Sequence, residues 1–82
     1  MPNLYIITGP AGVGKSTISR KIAETKKKSA LIEGDYIYHQ VIGGYVQAWK
    51  EENHLDVFWK VCISTIRTYL EDGYDVIFNY IV

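Results

Sequence analysis

Gly9-Pro10-Ala11-Gly12-Val13-Gly14-Lys15-Ser16 completes a G-x-x-x-x-G-K-[ST] pattern near the start of the chain. It follows Leu4-Tyr5-Ile6-Ile7, an apolar run rich in β-branched and aromatic residues and without polar alternation. Such a run predicts a strand buried on both faces. After Lys15, the positions Ile18, Ile22 and Ala23 share one helical face, while Arg20, Lys21 and Glu24 fall elsewhere, which predicts a helix. The chain is thereby committed to a strand, a glycine-rich turn and a helix in immediate succession. Glycines admit positive φ and let the backbone approach a ligand closely. Successive N–H groups of such a turn point inward and make a nest for an anion. The free N–H groups and positive dipole end of the following helix face the same anion. A chance match in a chain of 82 residues is on the order of 0.3%, which leaves little room for the alternative of a glycine turn beside a surface lysine.

The remaining elements follow from periodicity. Lys26-Lys27-Lys28 suits a solvated helix C-terminus, with a phosphate or nucleic-acid patch as the alternative. Ser29-Ala30-Leu31-Ile32 predicts a second strand that ends at Glu33-Gly34-Asp35. Tyr38, Ile42, Tyr45 and Trp49 are spaced as a helical stripe. Gly43-Gly44 interrupts it at ~1 kcal/mol per glycine relative to Ala, so two short helical pieces are expected. Asn53 reads as an N-cap with Asp56 at N3. Leu55, Phe58, Trp59, Cys62, Ile66, Tyr69 and Leu70 form a long apolar stripe, and Gly73 suits the C′ position beyond it. Asp75-Val76-Ile77-Phe78 opens a third strand. Strands alternating with helices imply an α/β protein with right-handed crossovers and a parallel sheet covered on both faces.

Composition narrows the function classes. A chain 48% hydrophobic and 13% aromatic is not low-complexity disorder, and its length suits one domain. Nine basic residues balance nine acidic ones, so there is no net field for a nucleic-acid backbone. Cys62 is the sole cysteine and can close no internal disulfide or Cys-based zinc site. No apolar run approaches the roughly 18–20 residues of a membrane span, and the N-terminus has no charged n-region with a cleavable h-region. The expectation is a cytoplasmic protein without nucleic-acid or membrane partners; oligomeric state stays open.

The motif resembles that of the P-loop NTPase superfamily, and the wider pattern is similar to the small P-loop kinases: nucleoside-monophosphate, shikimate, gluconate and chloramphenicol kinases. The resemblance implies a three-layer P-loop NTPase fold with a parallel sheet in the order 2-3-1, with ATP and Mg²⁺ as cofactors. Gly9, Pro10, Ala11, Gly12, Val13, Gly14, Lys15, Ser16 and Thr17 would wrap the nucleotide phosphates, with Lys15 on the β- and γ-phosphates and Ser16 on Mg²⁺. Glu33 would stand near the Mg²⁺ shell, and Asp35 would face the acceptor hydroxyl as base or orienting group. Both carboxylates fall at the carboxyl end of a strand, where ligands bind in open α/β sheets. The competing reading of Glu33-Gly34-Asp35 is a polar turn, with Asp35 capping the next helix.

Asn79 is a departure, because the third strand of these kinases often ends in an acidic residue; Asn can hold a water but brings no charge. Tyr36, Tyr38, Tyr45 and Trp49 could wall a pocket for a ringed alcohol or pack on the sheet. His39 and His54 lack partners at metal-ligand spacing and read as surface or capping residues, Cys62 as core. Arg20 and Arg67 are weak substitutes for the lid arginines of such kinases. The resemblance covers about the first half of a small P-loop kinase, so residues 1–82 are expected to be the N-terminal part of one nucleotide-binding domain, incomplete in this chain. The expected function is ATP-dependent transfer of the γ-phosphoryl group to a hydroxyl of a small molecule. The alternative is a nucleotide-hydrolysing switch or motor module, and a third possibility is a non-catalytic relic or a phosphotransferase with an unusual acceptor.

Overall fold

The computed structural model describes residues 2–9 and 14–81. The elements run β1 (Leu4–Gly9), α1 (Lys15–Glu24), β2 (Ser29–Glu33), α2 (Gly34–Tyr38), α3 (Leu55–Glu71) and β3 (Asp75–Ile81). The three strands form an open parallel sheet in the order β1-β3-β2. Read from the other edge, this is the 2-3-1 order expected. The strand closing the second crossover, β3, is central, and Val76, Ile77, Phe78 and Asn79 are all buried there.

Alternation along β3 assigns the two faces. Asn79 points to α1, where its amide donates to the Ser19 hydroxyl (3.2 Å). Phe78 and Tyr80 point to α3, where their rings meet Trp59 and Phe58. The core lies on this second face and gathers Ile32, Tyr38, Phe58, Cys62, Val76 and Phe78.

Two sequence expectations are corrected here. The opening strand is not buried on both faces: Leu4 is 41% and Ile6 61% exposed. The cause is position, since β1 is an edge strand and the aromatic contacts of α3 fall on β3 rather than on β1. On α1 the fully buried residue is Ser19, whereas Ile18 is exposed. The pairing of Ser19 with Asn79 offsets the desolvation of both polar groups.

The stretch between β2 and α3 differs more. It holds one five-residue helix, α2, followed by turns through residue 52, and no second helical piece. Gly44 takes φ 77°, a left-handed value that ends any stripe. Ile42, 87% exposed, and Trp49, 80% exposed, therefore leave the core to Tyr38, whose hydroxyl donates to the Val46 carbonyl (2.6 Å) and pins the turns back.

α3 starts one residue later than expected. His54 occupies its N-cap position, and the Asn53 side chain accepts from Leu55 N–H (3.0 Å) while donating to the carbonyls of Ala48 and Lys50. Asp56 still sits in the first turn. Phe58 and Cys62 are the buried members of the apolar stripe; Trp59 and Tyr69 remain exposed. The C-terminus is as expected. Gly73 (φ 88°) donates to Leu70 O, and Tyr74 donates to Tyr69 O, the paired bonds of a Schellman cap, with the Tyr69 and Tyr74 rings in edge contact.

The lysine run is less solvated than a free helix end. Lys26 Nζ donates to the Tyr5 hydroxyl and lies 4.6 Å from its ring centre. Lys28 Nζ donates to Asp72 O and lies over Tyr74. Each cation gains an aromatic face. Among the described residues, no helix is long and apolar enough to cross a membrane.

Candidate functional site

The site grows from the junction of β1 with α1. β1 ends at Gly9 (φ 144°), and α1 begins after Gly14, whose φ 78° and ψ 21° place it in the left-handed region. A Cβ at Gly14 would meet nothing within 4 Å, so backbone conformation rather than space calls for glycine there. Pro10, Ala11, Gly12 and Val13, the middle of the motif, lie outside the described residues. Gly14 brings no side-chain cap to α1, and the first turn carries no acidic residue. The N–H groups of this turn stand at the positive end of the helix, which is the end that favours an anion. Lys15, Ser16 and Thr17 are the first three residues of the helix, with Lys15 half-buried and Ser16 and Thr17 exposed. Arg20 borders the same shallow depression as Ser16 and Thr17.

The second half of the site is the end of β2. The Ser16 hydroxyl donates a hydrogen bond to the Glu33 carboxylate. The expected pair of hydroxyl and carboxylate is therefore side by side, although 17 positions separate the two residues. Hard oxygen donors of this kind suit Mg²⁺, which takes one or two protein oxygens and completes its shell with phosphates and water. Among the described residues no three His, Cys, Asp or Glu side chains converge into a metal cage.

Gly34 joins β2 to α2 without a loop. A Cβ there would lie 2.6 Å from Tyr80 Cδ1 and 3.0 Å from Asn79 O, so only glycine lets the chain pass this close to β3. This glycine sends its two acidic neighbours in different directions. Glu33 faces α1 through Ser16, whereas Asp35 lines a cavity of about 300 Å³ with Tyr38, His39, Tyr45, Trp49 and Tyr80. Asp35 lies within the first turn of α2 rather than at its N-cap, which is Glu33. The capping alternative for Asp35 is thereby set aside.

The aromatic residues divide between the two readings given to them. Tyr38 is core, Tyr45 and Trp49 line the cavity, and Tyr36 points outward, exposed. His39 is tied into the wall: its Nδ1 donates to the Asp35 carbonyl (2.7 Å) and its Nε2 lies 3.3 Å from the Tyr45 hydroxyl. His54 is half-buried rather than on the surface. It stacks on Tyr38 at 4.0 Å, with Nε2 donating to Tyr38 O, and its buried Nδ1 has no hydrogen-bond partner. Burial pushes the Tyr80 phenol above its ordinary pKa, and the Asp35 carboxylate adds to the shift. Tyr80 was missed by motif reading; its signal is the alternation Val76, Phe78, Tyr80 on the α3 face of β3. Asn79 donates to Ser19 on α1, brings no charge, and pairs in register with Glu33 of β2.

No protein-family model matches this chain, and no curated protein matches it.

Proposed function

We propose that the chain is an ATP-dependent phosphotransferase of the P-loop kinase kind, cytoplasmic, moving the γ-phosphoryl group to a hydroxyl of a small molecule. The α/β unit is read as part of a three-layer P-loop NTPase fold. The observation that carries the proposal is the hydrogen bond from Ser16 to Glu33, which sets the last residue of the glycine-rich motif against the acidic end of β2. Asp35, one residue beyond Gly34, then opens on a separate cavity where an acceptor has room.

In this reading, the first-turn N–H groups of α1 and the Lys15 ammonium hold the terminal phosphates and stabilise charge as the phosphoryl group moves. Ser16 and Glu33 would hold Mg²⁺, which neutralises charge on the phosphates when bound. Asp35 orients the acceptor hydroxyl and takes its proton. The hydrolysing switch remains the second reading; the cavity beside Asp35 favours an organic acceptor over water.

The test is ATP consumption by the full protein against a panel of hydroxyl metabolites, with products weighed by mass spectrometry. Transfer to at least one acceptor is expected, and Lys15→Ala should lower it ~100-fold or more while the circular dichroism spectrum is kept. ATP hydrolysis at one rate with or without every acceptor would overturn transfer in favour of the switch.

A further inference from the structure

We infer that the acceptor entering the cavity beside Asp35 is a ring-bearing alcohol without an anionic group, and that a protonated amine on it improves binding. This rests on the phosphotransfer reading above.

The cavity has about 300 Å³ of space, at the small end of ligand pockets and suited to a single ring. Its wall is aromatic: Tyr38, Tyr45, Trp49 and Tyr80, with the His39 ring. Trp49 is 80% exposed, so its indole is open to a ligand instead of being spent on the core. Among the described lining residues Asp35 is the sole charged side chain, and no Lys or Arg borders the space. A phosphate or carboxylate entering here would shed water without gaining a counter-charge. It would also meet the Asp35 carboxylate and the negative faces of the rings. An ammonium group meets the same features with the opposite sign and gains from both.

Hydrogen-bonding capacity points the same way. A carbonyl can only accept, so His39 Nδ1 carries the proton it shares with Asp35 O, and in the neutral ring Nε2 is an acceptor. The Tyr45 hydroxyl lies 3.3 Å from His39 Nε2, and its oxygen keeps acceptor capacity for a ligand. The Tyr38 proton is committed to Val46 O. What remains for a ligand is the Tyr45 oxygen and the Asp35 carboxylate as acceptors, beside the Tyr80 hydroxyl and the Trp49 indole N–H as neutral donors; the one charged partner, Asp35, matches an ammonium rather than an anion.

The test is calorimetric binding to the full protein, without nucleotide, of two matched series. One is glucosamine, glucose and glucuronate; the other is tyramine, 4-hydroxybenzyl alcohol and 4-hydroxyphenylacetate. In at least one series the amine is expected to bind tightest and the acid weakest, with about tenfold or more between them. Asp35→Asn should collapse that gap, and Trp49→Ala, at an exposed position, should weaken every binder of the series. An acid that binds as tightly as its amine overturns the inference, as does the absence of binding by all six compounds at millimolar concentration. Phosphate transfer is read separately. Amine-first binding without any transfer from ATP defeats the phosphotransfer reading and leaves the cavity assignment. Transfer to an acid defeats the cavity assignment and leaves phosphotransfer.

Discussion

The Ser16 hydroxyl on the first turn of α1 donates to the Glu33 carboxylate at the end of β2. This bond ties the start of α1 to the end of β2, within one crossover, at the carboxyl rim of the sheet. Glu33→Gln keeps an acceptor for Ser16 but removes the charge. It is expected to raise the Mg²⁺ concentration for half-maximal turnover by roughly 10–100-fold, as found when groups around a metal are altered. A Mg²⁺ titration of turnover checks this; an unchanged midpoint places Glu33 away from the metal.

Asp35 should separate binding from transfer. Asp35→Asn retains size and hydrogen bonding while losing basicity. The expected result is a drop in phosphoryl transfer of roughly 10²–10⁴-fold with ATP binding preserved. Rapid-quench transfer assays beside a fluorescent-nucleotide titration measure the two separately. Normal transfer by the variant would remove Asp35 from the chemistry.

Gly34 is a packing requirement. In Gly34→Ala the new methyl would press on Tyr80 and on the Asn79 carbonyl, at 2.6 and 3.0 Å. Overpacking of this kind costs about 1–3 kcal/mol, and each kcal/mol lowers the melting temperature by about 4–8 °C in a small domain. Thermal unfolding should show the loss, and an unshifted midpoint would mean that α2 moves freely away from β3.

Alkaline pH should loosen the core through Cys62. Burial pushes its thiol from the ordinary 9.0 up to about 11. Below pH 9 both folded and unfolded thiols keep the proton, and the native state is not penalised. Between 9 and about 11 the unfolded thiol ionises first, so the unfolded chain binds fewer protons and stability falls as pH rises. Urea unfolding across this range should show the slope, and Cys62→Ala should lack the part due to the thiol.

Local signals carried much of this architecture. The junction at Gly14-Lys15, the stop at Gly73 and the β3 strand were all readable, because each is decided by conformational preference or a short apolar run. The proximity of Ser16 and Glu33 was implied by family resemblance, and spacing alone could not reveal it. What remained hidden depends on neighbours distant in sequence. The exposure of Leu4 and Ile6 follows from the edge position of β1. Ser19 is buried because Asn79 reaches it from β3. The aromatic stripe after Asp35 breaks at Gly44, and which of its rings enters the core, Tyr38 and not Trp49, is decided by the packing of α3 and β3. The demand for glycine at position 34 becomes visible only when Tyr80 is in place.

The position of β1 has a consequence for handling the isolated polypeptide. Its outer backbone amides and carbonyls pair with no described strand, and Leu4 and Ile6 stand exposed beside them. Such a ribbon recruits strands from other molecules. Concentrated stocks should therefore thicken into β-rich assemblies, and a lysine at Ile6 is the simplest gatekeeper against that fate.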